Sequence, residues 1–261
     1  MKNFLPSQYN KNSKLKLNHS YLVEQFADYS KIFKEIQKVV KKGDYTLGGE
    51  VDKFEKNISK ITGAKFAIGV GNGTDALYLS LKALGIGRND EVITTPFTFI
   101  ATVGSIVTAG AKPIFVDIKE DYNINEEKIE KAITKKTKAI MFIDYGGNPS
   151  DINKILKIGK KYGLKIIQDG AQSLGARYNG KPVGANAEIS TMSFHMAKIL
   201  SCIEGGMIFT NSKKYRDEIL MRRSHGEEKP GDYIHHILGT NARLTDLQAA
   251  IGLSQFKKLK F

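Results

Sequence analysis

Cysteine is nearly absent, since the 261-residue sequence contains only Cys202. A single cysteine excludes a disulfide framework within the chain. The N-terminus also lacks the charged segment, apolar core and small-residue cleavage site of a secretory signal. At this length a large α/β domain can bury a full core without covalent staples, so we expect a cytoplasmic protein.

Long apolar runs are scarce as well. The longest uncharged stretch, Val92 to Ala111, approaches the length of a membrane span but contains five Thr, Pro96 and two Gly. Such a stretch divides naturally into a strand, a turn and a helix. The sequence therefore predicts no membrane-spanning segment and no membrane partner.

Two kinds of ligand-binding cluster are missing. The 40 Lys and Arg outnumber 27 Asp and Glu, but the lysines are spread along the chain and no basic motif with interleaved aromatic residues is present. We therefore expect a solvated, lysine-rich surface and no nucleic-acid partner. His235 and His236 lack the spacing and companions of a metal site, so no metal ion is expected.

Short apolar runs alternate with helical patterns along most of the chain. This alternation predicts an α/β fold with a mostly parallel seven-stranded sheet, helices on both faces, and a ligand at the carboxyl ends of the strands. The predicted strands are KFAIGVG, EVITTP, KPIFVDI, KAIMFID, KIIQDG, ISTMSFH and GGMIFT.

One strand-to-helix connection has the form of a phosphate-binding turn. In GVGNGTDALYLSLKALG, Gly71 and Gly73 let the backbone approach a ligand closely. The amides of Thr74 and Asp75 then open a helix whose positive end suits a phosphate. A tight turn with Thr74 as the helix cap explains the same residues, and the segment matches neither the Walker pattern nor a full GxGxxG.

Two further segments place useful side chains at the carboxyl edge of the predicted sheet. In KIIQDGAQSLGA a strand ends in Asp169, which either faces a ligand or is a turn aspartate satisfied by local amides. In PFTF, Phe97 or Phe99 either fills the core or offers a flat surface to a ring.

Lys198 stands in the mostly apolar run SFHMAKIL, where burial of its ammonium is costly unless the charge is paired or removed, as in a Schiff base. Pyridoxal phosphate needs a lysine, a carboxylate for its pyridinium nitrogen, a phosphate cradle and an aromatic side chain over its ring. All four occur in this sequence. Asp169 would make the ring an electron sink, and Lys198 would be both the attachment point and the base.

These residues lie within a longer resemblance. Over roughly residues 25 to 260 the chain resembles the DegT/DnrJ/EryC1/StrS sugar aminotransferases, which are fold type I pyridoxal phosphate enzymes. The resemblance implies a fold type I large domain. The matching words are NGTDAL, DEVITTPFTFIAT, GAKPIFVDI, QDGAQSLGA, SFHMAKIL, EGGMIFT, HG at 225–226, and NARLTDLQAAIG.

The resemblance also implies a role for each matching residue. Lys198 would be the Schiff-base lysine and Asp169 the pyridinium partner, which makes them the catalytic pair. Gln172 would lie near the 3-hydroxyl, Phe99 would stack on the ring, and His195 would line the site. The phosphate would be held by the Gly73 turn, the amides of Thr74 and Asp75, and the Ser193 hydroxyl. Asn241 would reach the phosphate of the neighbouring subunit in a homodimer.

Four positions depart from the family pattern. Met196 replaces a proline, and Ile199 follows the lysine where a polar residue is common. Gln168 replaces an acidic residue, and Asp144 replaces a histidine. None of these removes a group that the cofactor needs, but we expect Asp144 to alter the substrate side of the pocket.

Length is a further departure, because related chains usually continue into a small α/β domain. We predict an N-terminal arm at 1–24, a pyridoxal phosphate-binding large domain at 25–248, and at 249–261 the start of a helix that leads to a small domain absent from this sequence. A separate chain could supply that domain.

Three functions follow from the resemblance. The leading hypothesis is transamination, in which glutamate, or glutamine, gives its amino group to a nucleotide-linked keto-sugar and yields an amino sugar for glycan or polysaccharide biosynthesis. An alternative is a truncated or split chain that binds pyridoxal phosphate or dimerises without being catalytic alone. A third is desulfuration or aldol cleavage, although Cys202 is more simply interpreted as a small core residue than as a persulfide carrier.

Overall fold

The computed structural model describes residues 22–229 and 231–259. Of the arm predicted at 1–24, residues 1–21 lie outside the described residues, and helix α1 begins at Leu22. Within the described ranges, no helix has the length and apolar character needed to cross a membrane.

The described residues alternate helices and strands, as the sequence pattern predicts. The helices are α1 (Leu22–Gln25), α2 (Tyr29–Lys42), α3 (Gly49–Thr62), α4 (Gly73–Ala83), α5 (Ile100–Thr108), α6 (Glu126–Ile129), α7 (Ile152–Tyr162), α8 (Lys213–Arg223) and α9 (Asp246–Phe256). The strands are β1 (Phe66–Val70), β2 (Glu91–Thr94), β3 (Lys112–Phe115), β4 (Thr137–Ile143), β5 (Lys165–Asp169), β6 (Arg177–Tyr178), β7 (Lys181–Pro182), β8 (Ile189–Ser193) and β9 (Gly206–Thr210).

Seven of these strands form one sheet in the order β1-β9-β8-β5-β4-β2-β3. Strands β3, β2, β4, β5 and β8 run parallel, whereas β9 pairs antiparallel with both β8 and β1. All seven predicted runs are strands of this sheet, which confirms the mostly parallel α/β fold. The two-residue strands β6 and β7 form a separate hairpin that the sequence pattern does not indicate.

Strand β4 shows why continuous apolar runs mark this sheet. Ala139 and Met141 pack in one cluster with side chains of α4 and α5, while Ile140 and Phe142 pack in another with side chains of α7. Both faces of the strand are buried, as expected of a parallel sheet covered on both sides. The prediction of helices on both faces is confirmed.

Helix α9 begins at Asp246, before the boundary predicted at 249, and ends at Phe256. Thr245 and Gln248 form a capping box, in which each side chain bonds to the backbone amide of the other residue. The buried Asp246 carboxylate accepts hydrogen bonds from the amides of Gly48 and Glu50, at 2.8 and 2.9 Å. Helix α9 is thereby fixed to the N-terminus of α3.

Candidate active site

The predicted phosphate turn lies between β1 and the N-terminus of α4. Asn72 is the N-cap of the helix, because its Oδ1 accepts a hydrogen bond from the Asp75 amide at 2.8 Å. The alternative in which Thr74 caps the helix is therefore wrong, and the Asp75 amide is already bonded. The amides of Gly73 and Thr74 have no acceptor in the described part of the chain, as is usual in the first turn of a helix.

Glycine is needed at position 73 because the end of β8 packs against it. A Cβ at Gly73 would lie 2.8 Å from Ser193 Cβ and 3.1 Å from Ser193 Oγ. The start of β9 is equally close, since a Cβ at Gly206 would overlap the Asn72 carbonyl group. The Ser193 hydroxyl thus borders the open end of α4, where free amides and the helix dipole favour an anion.

Asp169 ends β5, with its carboxylate buried between the ends of β4 and β8. Its Oδ2 accepts a hydrogen bond from Thr102 Oγ1 at 2.8 Å, and its Oδ1 accepts one from the Ala171 amide at 3.2 Å. Burial raises the pKa of this carboxyl above its ordinary value, while the two hydrogen bonds and the charge of Lys198 oppose that rise. The alternative of a turn aspartate satisfied by local amides explains only the bond from Ala171. The other bond comes from Thr102, which lies on α5.

Lys198 lies in the turn after β8, where its amide donates to the His195 carbonyl oxygen at 2.9 Å. Its side chain is partly buried, and this burial lowers the pKa of the ammonium against the opposing charge of Asp169. Among the described residues, Lys198 Nζ has no hydrogen-bond or ion-pair partner. A lysine in this state is suited to react as a neutral amine.

Gln172 is held by a contact with a neighbouring loop, and His195 by contacts within its own loop. Gln172 Oε1 accepts a hydrogen bond from the Gly146 amide at 2.7 Å, which ties this side chain to the loop after β4. His195 Nδ1 accepts one from the Ala197 amide at 3.2 Å, and its Nε2 lies 3.7 Å from Glu204 Oε1. Both ring nitrogens of His195 therefore have structural neighbours, and its place in the site stays a prediction.

Neither phenylalanine of PFTF fills the core, so that alternative is wrong. Phe99 is 71% exposed immediately before α5, and its role as a stacking ring stays a prediction. Phe97 packs against Tyr145 and Tyr122, with ring centroids 4.7 and 5.4 Å away. The sequence pattern missed this aromatic group because its members come from the loops after β2, β3 and β4.

Asn241 lies exposed in a stretch that forms an isolated bridge with Ser224. Its side chain has no partner within residues 22–229 and 231–259. The next residue, Ala242, accepts a hydrogen bond from the Gly71 amide at 2.9 Å, so this stretch runs beside the phosphate turn of its own chain. The predicted contact of Asn241 with a neighbouring subunit is consistent with this exposure and stays a prediction.

Asp144 and Gln168, two of the positions that depart from the family pattern, are hydrogen-bonded to each other. Gln168 Nε2 donates to Asp144 Oδ2 at 2.7 Å, and Ser173 Oγ donates to the same oxygen at 2.9 Å. The Ser150 amide donates to Asp144 Oδ1 at 3.1 Å. Asp144 is 0% exposed, so any effect on the substrate side of the pocket would be indirect, and that expectation stays a prediction. Sequence reasoning missed this group because its side-chain partners are 24 and 29 residues away.

The structure therefore brings the main predicted groups to one edge of the sheet. Asp169 is paired in register with Thr191 of β8, and Ser193 follows on the same strand. The N-terminus of α4, with two amides that are unbonded among the described residues, thus lies on the same side of the sheet as the buried Asp169 carboxylate and Lys198. No group of three or more His, Cys, Asp or Glu in the described ranges could hold a metal ion.

The chain is similar to aminotransferases in both sequence and structure. The model of the DegT/DnrJ/EryC1/StrS aminotransferase family matches residues 27–261. The chain is 44% identical over 241 residues to a pleiotropic regulatory protein from Geobacillus stearothermophilus, and this match covers 91% of this chain and 64% of that protein. It is 42% identical over 230 residues to UDP-2-acetamido-2-deoxy-3-oxo-D-glucuronate aminotransferase from Pseudomonas aeruginosa, and this match covers 87% of this chain and 63% of that protein.

A solved structure extends this similarity to the fold. NtdA from Bacillus subtilis, with bound cofactor PMP, superposes with a TM-score of 0.87 at 31% identity and covers 98% of this chain and 61% of that one. The chain thus spans less than two thirds of the length of each of these three proteins.

Proposed function

This chain belongs to the DegT/DnrJ/EryC1/StrS aminotransferase family, and from that membership we propose that it is the pyridoxal phosphate-binding part of a nucleotide-sugar aminotransferase. The observation that carries the proposal is Lys198, which has no partner among the described residues and feels the charge of the buried Asp169. The bound PMP of NtdA, the amino form of the same cofactor, supports the choice of cofactor.

The residues of the site fit pyridoxal phosphate at both of its ends. The phosphate would meet the free amides of Gly73 and Thr74, the positive end of α4 and the Ser193 hydroxyl. The ring nitrogen would meet the carboxylate of Asp169. When bound, the cofactor supplies an electron sink for the negative charge that develops on an amino-bearing carbon.

Asp169 would act on the ring nitrogen. Its carboxylate would accept the N–H of that nitrogen in a charge-assisted hydrogen bond and so favour the protonated ring. Thr102 and Ala171 fix the carboxylate by one bond to each of its oxygens. Because the group is buried, water does not compete for this bond and the local dielectric is low.

Lys198 would have two tasks. Its neutral amine would be the group that holds the cofactor at its carbonyl end. When it is not so engaged, the same amine would be the base that takes the proton from the amino-bearing carbon of a substrate. The lowered pKa of Lys198 suits both tasks, because only the unprotonated amine is a nucleophile or a base.

The substrates that we propose are glutamate, or glutamine, as the amino donor and a nucleotide-linked keto-sugar as the acceptor. The name of the Pseudomonas relative, which is that of a UDP-linked oxo-sugar aminotransferase, supports this acceptor class. The formal net charge of +13 would favour the approach of a nucleotide diphosphate. The product would be a nucleotide-linked amino sugar for glycan or polysaccharide assembly.

We also propose a cytoplasmic homodimer with shared active sites. Asn241 is exposed and has no partner among the described residues of its own chain. Large apolar side chains are exposed in the same stretch and in the loop that carries Lys198, namely Ile199, Ile203, Tyr233 and Leu238. Exposed apolar groups around a site are typical of an interface between subunits.

The domain division at 1–24, 25–248 and 249–261 belongs to the same proposal. Helix α9 packs on α2 and α3 and would lead from the large domain toward the small one. The small domain would come from a longer form of this chain or from a separate chain.

A second candidate function is a pyridoxal phosphate-binding or dimerisation module that is not catalytic alone. The span of less than two thirds of the relatives' length favours it. Desulfuration is disfavoured because Cys202 is fully buried and its thiol pKa is raised by that burial.

Absorption spectroscopy tests the proposed function. Purified protein is titrated with pyridoxal phosphate and then with glutamate, alongside Lys198→Ala and the control Lys214→Ala, which changes an exposed lysine of α8. We expect a visible band that bleaches with glutamate in wild type and in the control but is missing in Lys198→Ala. A band that no amino donor changes would support the non-catalytic module. No band in wild type would contradict the leading function and leave only a dimerisation module.

A further inference from the structure

The loop after β4 and the turn after β5 are joined by side chains on both sides of Asp169. Gln168 precedes Asp169 and donates to Asp144 Oδ2, and Ser173 closes the following turn and donates to the same oxygen. The Asp144 amide donates to the Asp169 carbonyl oxygen at 3.2 Å. Asp144 therefore contacts the backbone of Asp169 through its amide and the residues on both sides of Asp169 through its carboxylate.

The orientation of Gln168 is fixed at both ends of its amide group. Its Nε2 donates to Asp144, and its Oε1 accepts a hydrogen bond from Ser190 Oγ at 3.0 Å. The network thus extends from β4 through β5 to β8, the three strands whose ends surround Asp169. The negative charge of Asp169 also acts on Asp144 and raises its pKa.

We propose that Asp144 is a positioning residue for the Asp169 carboxylate, which it holds at the sheet edge through Gln168 and Ser173. The inference rests on the proposed function, in which Asp169 partners the ring nitrogen of the cofactor. Asp144 itself is fully buried and contacts neither substrate nor cofactor in this assignment.

Asp144 is also close enough to Asp169 to be affected by its charge. Burial raises the pKa of Asp144 to about 6, its three hydrogen bonds oppose that rise, and the negative charge of Asp169 adds to it.

The substitution Asp144→Asn tests the positioning role because an amide cannot replace this carboxylate. Asp144 accepts on both oxygens, whereas asparagine has one oxygen and must turn its NH₂ group toward a donor. The double variant Asp144→Asn/Gln168→Glu exchanges the amide and the carboxylate across the same hydrogen bond. The control Asp151→Asn changes a carboxylate of the same loop that caps α7.

Binding of pyridoxal phosphate to each apo protein is measured by spectroscopic titration. We expect Asp144→Asn to weaken binding by about tenfold or more, the double variant to recover most of that loss, and the control to match wild type. Wild-type affinity in Asp144→Asn, or no recovery in the double variant, would overturn the proposal. Equal weakening in Asp151→Asn would also overturn it, because any damage to the loop would then suffice.

Carboxyl ¹³C NMR of the apo proteins separates this inference from the proposed function. The chemical shift of the Asp169 carboxyl carbon should change in Asp144→Asn and return toward the wild-type value in the double variant, which a general loss of structure would not predict. An unchanged Asp169 chemical shift in Asp144→Asn would overturn the inference. If wild type binds no pyridoxal phosphate, the proposed function fails, and the NMR comparison still decides whether Asp144 positions Asp169.

Discussion

The N-termini of α3 and α4 present the same unsatisfied backbone amides but are completed in different ways. At α3 the Asp246 carboxylate of α9 accepts hydrogen bonds from Gly48, Glu50 and Val51, at 2.8, 2.9 and 3.3 Å. At α4 a neutral side chain caps one amide, and the amides of Gly73 and Thr74 have no acceptor in the described ranges.

The difference separates a structural helix end from the one that we propose to bind the phosphate. A helix N-terminus attracts a negative charge wherever it lies, and the protein supplies that charge itself at α3. At α4 the space is kept open by Gly73 and lined by the hydroxyl of Ser193. We therefore expect substitutions at the first end to change stability and substitutions at the second to change cofactor affinity.

The largest expected effect is that of Asp246→Ala. Three amides would lose their acceptor, which should lower the free energy of unfolding by about 3 kcal/mol at about 1 kcal/mol for each bond. Urea denaturation measures this loss. Affinity for pyridoxal phosphate should stay at the wild-type value in native buffer, and a parallel fall in affinity would show that the two helix ends are not independent.

Gly73→Ala should change affinity for pyridoxal phosphate rather than stability. The added Cβ would lie 2.8 Å from Ser193 Cβ, so the phosphate cradle must move, and we expect affinity for pyridoxal phosphate to fall about hundredfold, or about 2.7 kcal/mol. The matched control is Gly49→Ala at the start of α3, where a Cβ meets nothing within 4 Å. Equal affinity in Gly73→Ala and wild type would contradict the assignment of this turn to the phosphate.

Ser193→Ala should have the smallest effect of the three. Loss of one hydroxyl donor should weaken pyridoxal phosphate binding by about tenfold, or about 1.4 kcal/mol, with little change in stability. Pyridoxal without its phosphate serves as the control ligand and should bind equally to both proteins. If Ser193→Ala weakened the binding of pyridoxal by the same factor, Ser193 would not act on the phosphate.

Most of the fold could be predicted from sequence because each strand of the large sheet is a short apolar run between turn residues. The antiparallel direction of β9 could not, since GGMIFT has the composition of a buried strand in either direction. The residue that caps α4 could not be chosen from the sequence, because Thr74 and Asn72 are both good capping residues. Only the hydrogen bond from the Asp75 amide to Asn72 distinguishes them.

Candidate site residues can be predicted from sequence where chemistry requires a particular residue type. Lys198 and Asp169 follow from the needs of the cofactor; in the structure burial shifts the pKa of each, and their roles stay predictions. The Asp144 network could not be predicted, because hydrogen bonds between side chains far apart in sequence depend on strand order and register. The same limit hid the packing of Phe97 against two tyrosines.

The position of β1 in the sheet determines when the cofactor site can form during synthesis. Within the sheet described above, β1 pairs only with β9. Val70 pairs with Gly206, so β1 cannot take its place in the sheet until Gly206 has been synthesised. At ribosomal rates this separation corresponds to a delay of about ten seconds or more. The nascent chain can pair its central parallel strands earlier, and the turn that would receive the phosphate is set in place only after β9 has emerged.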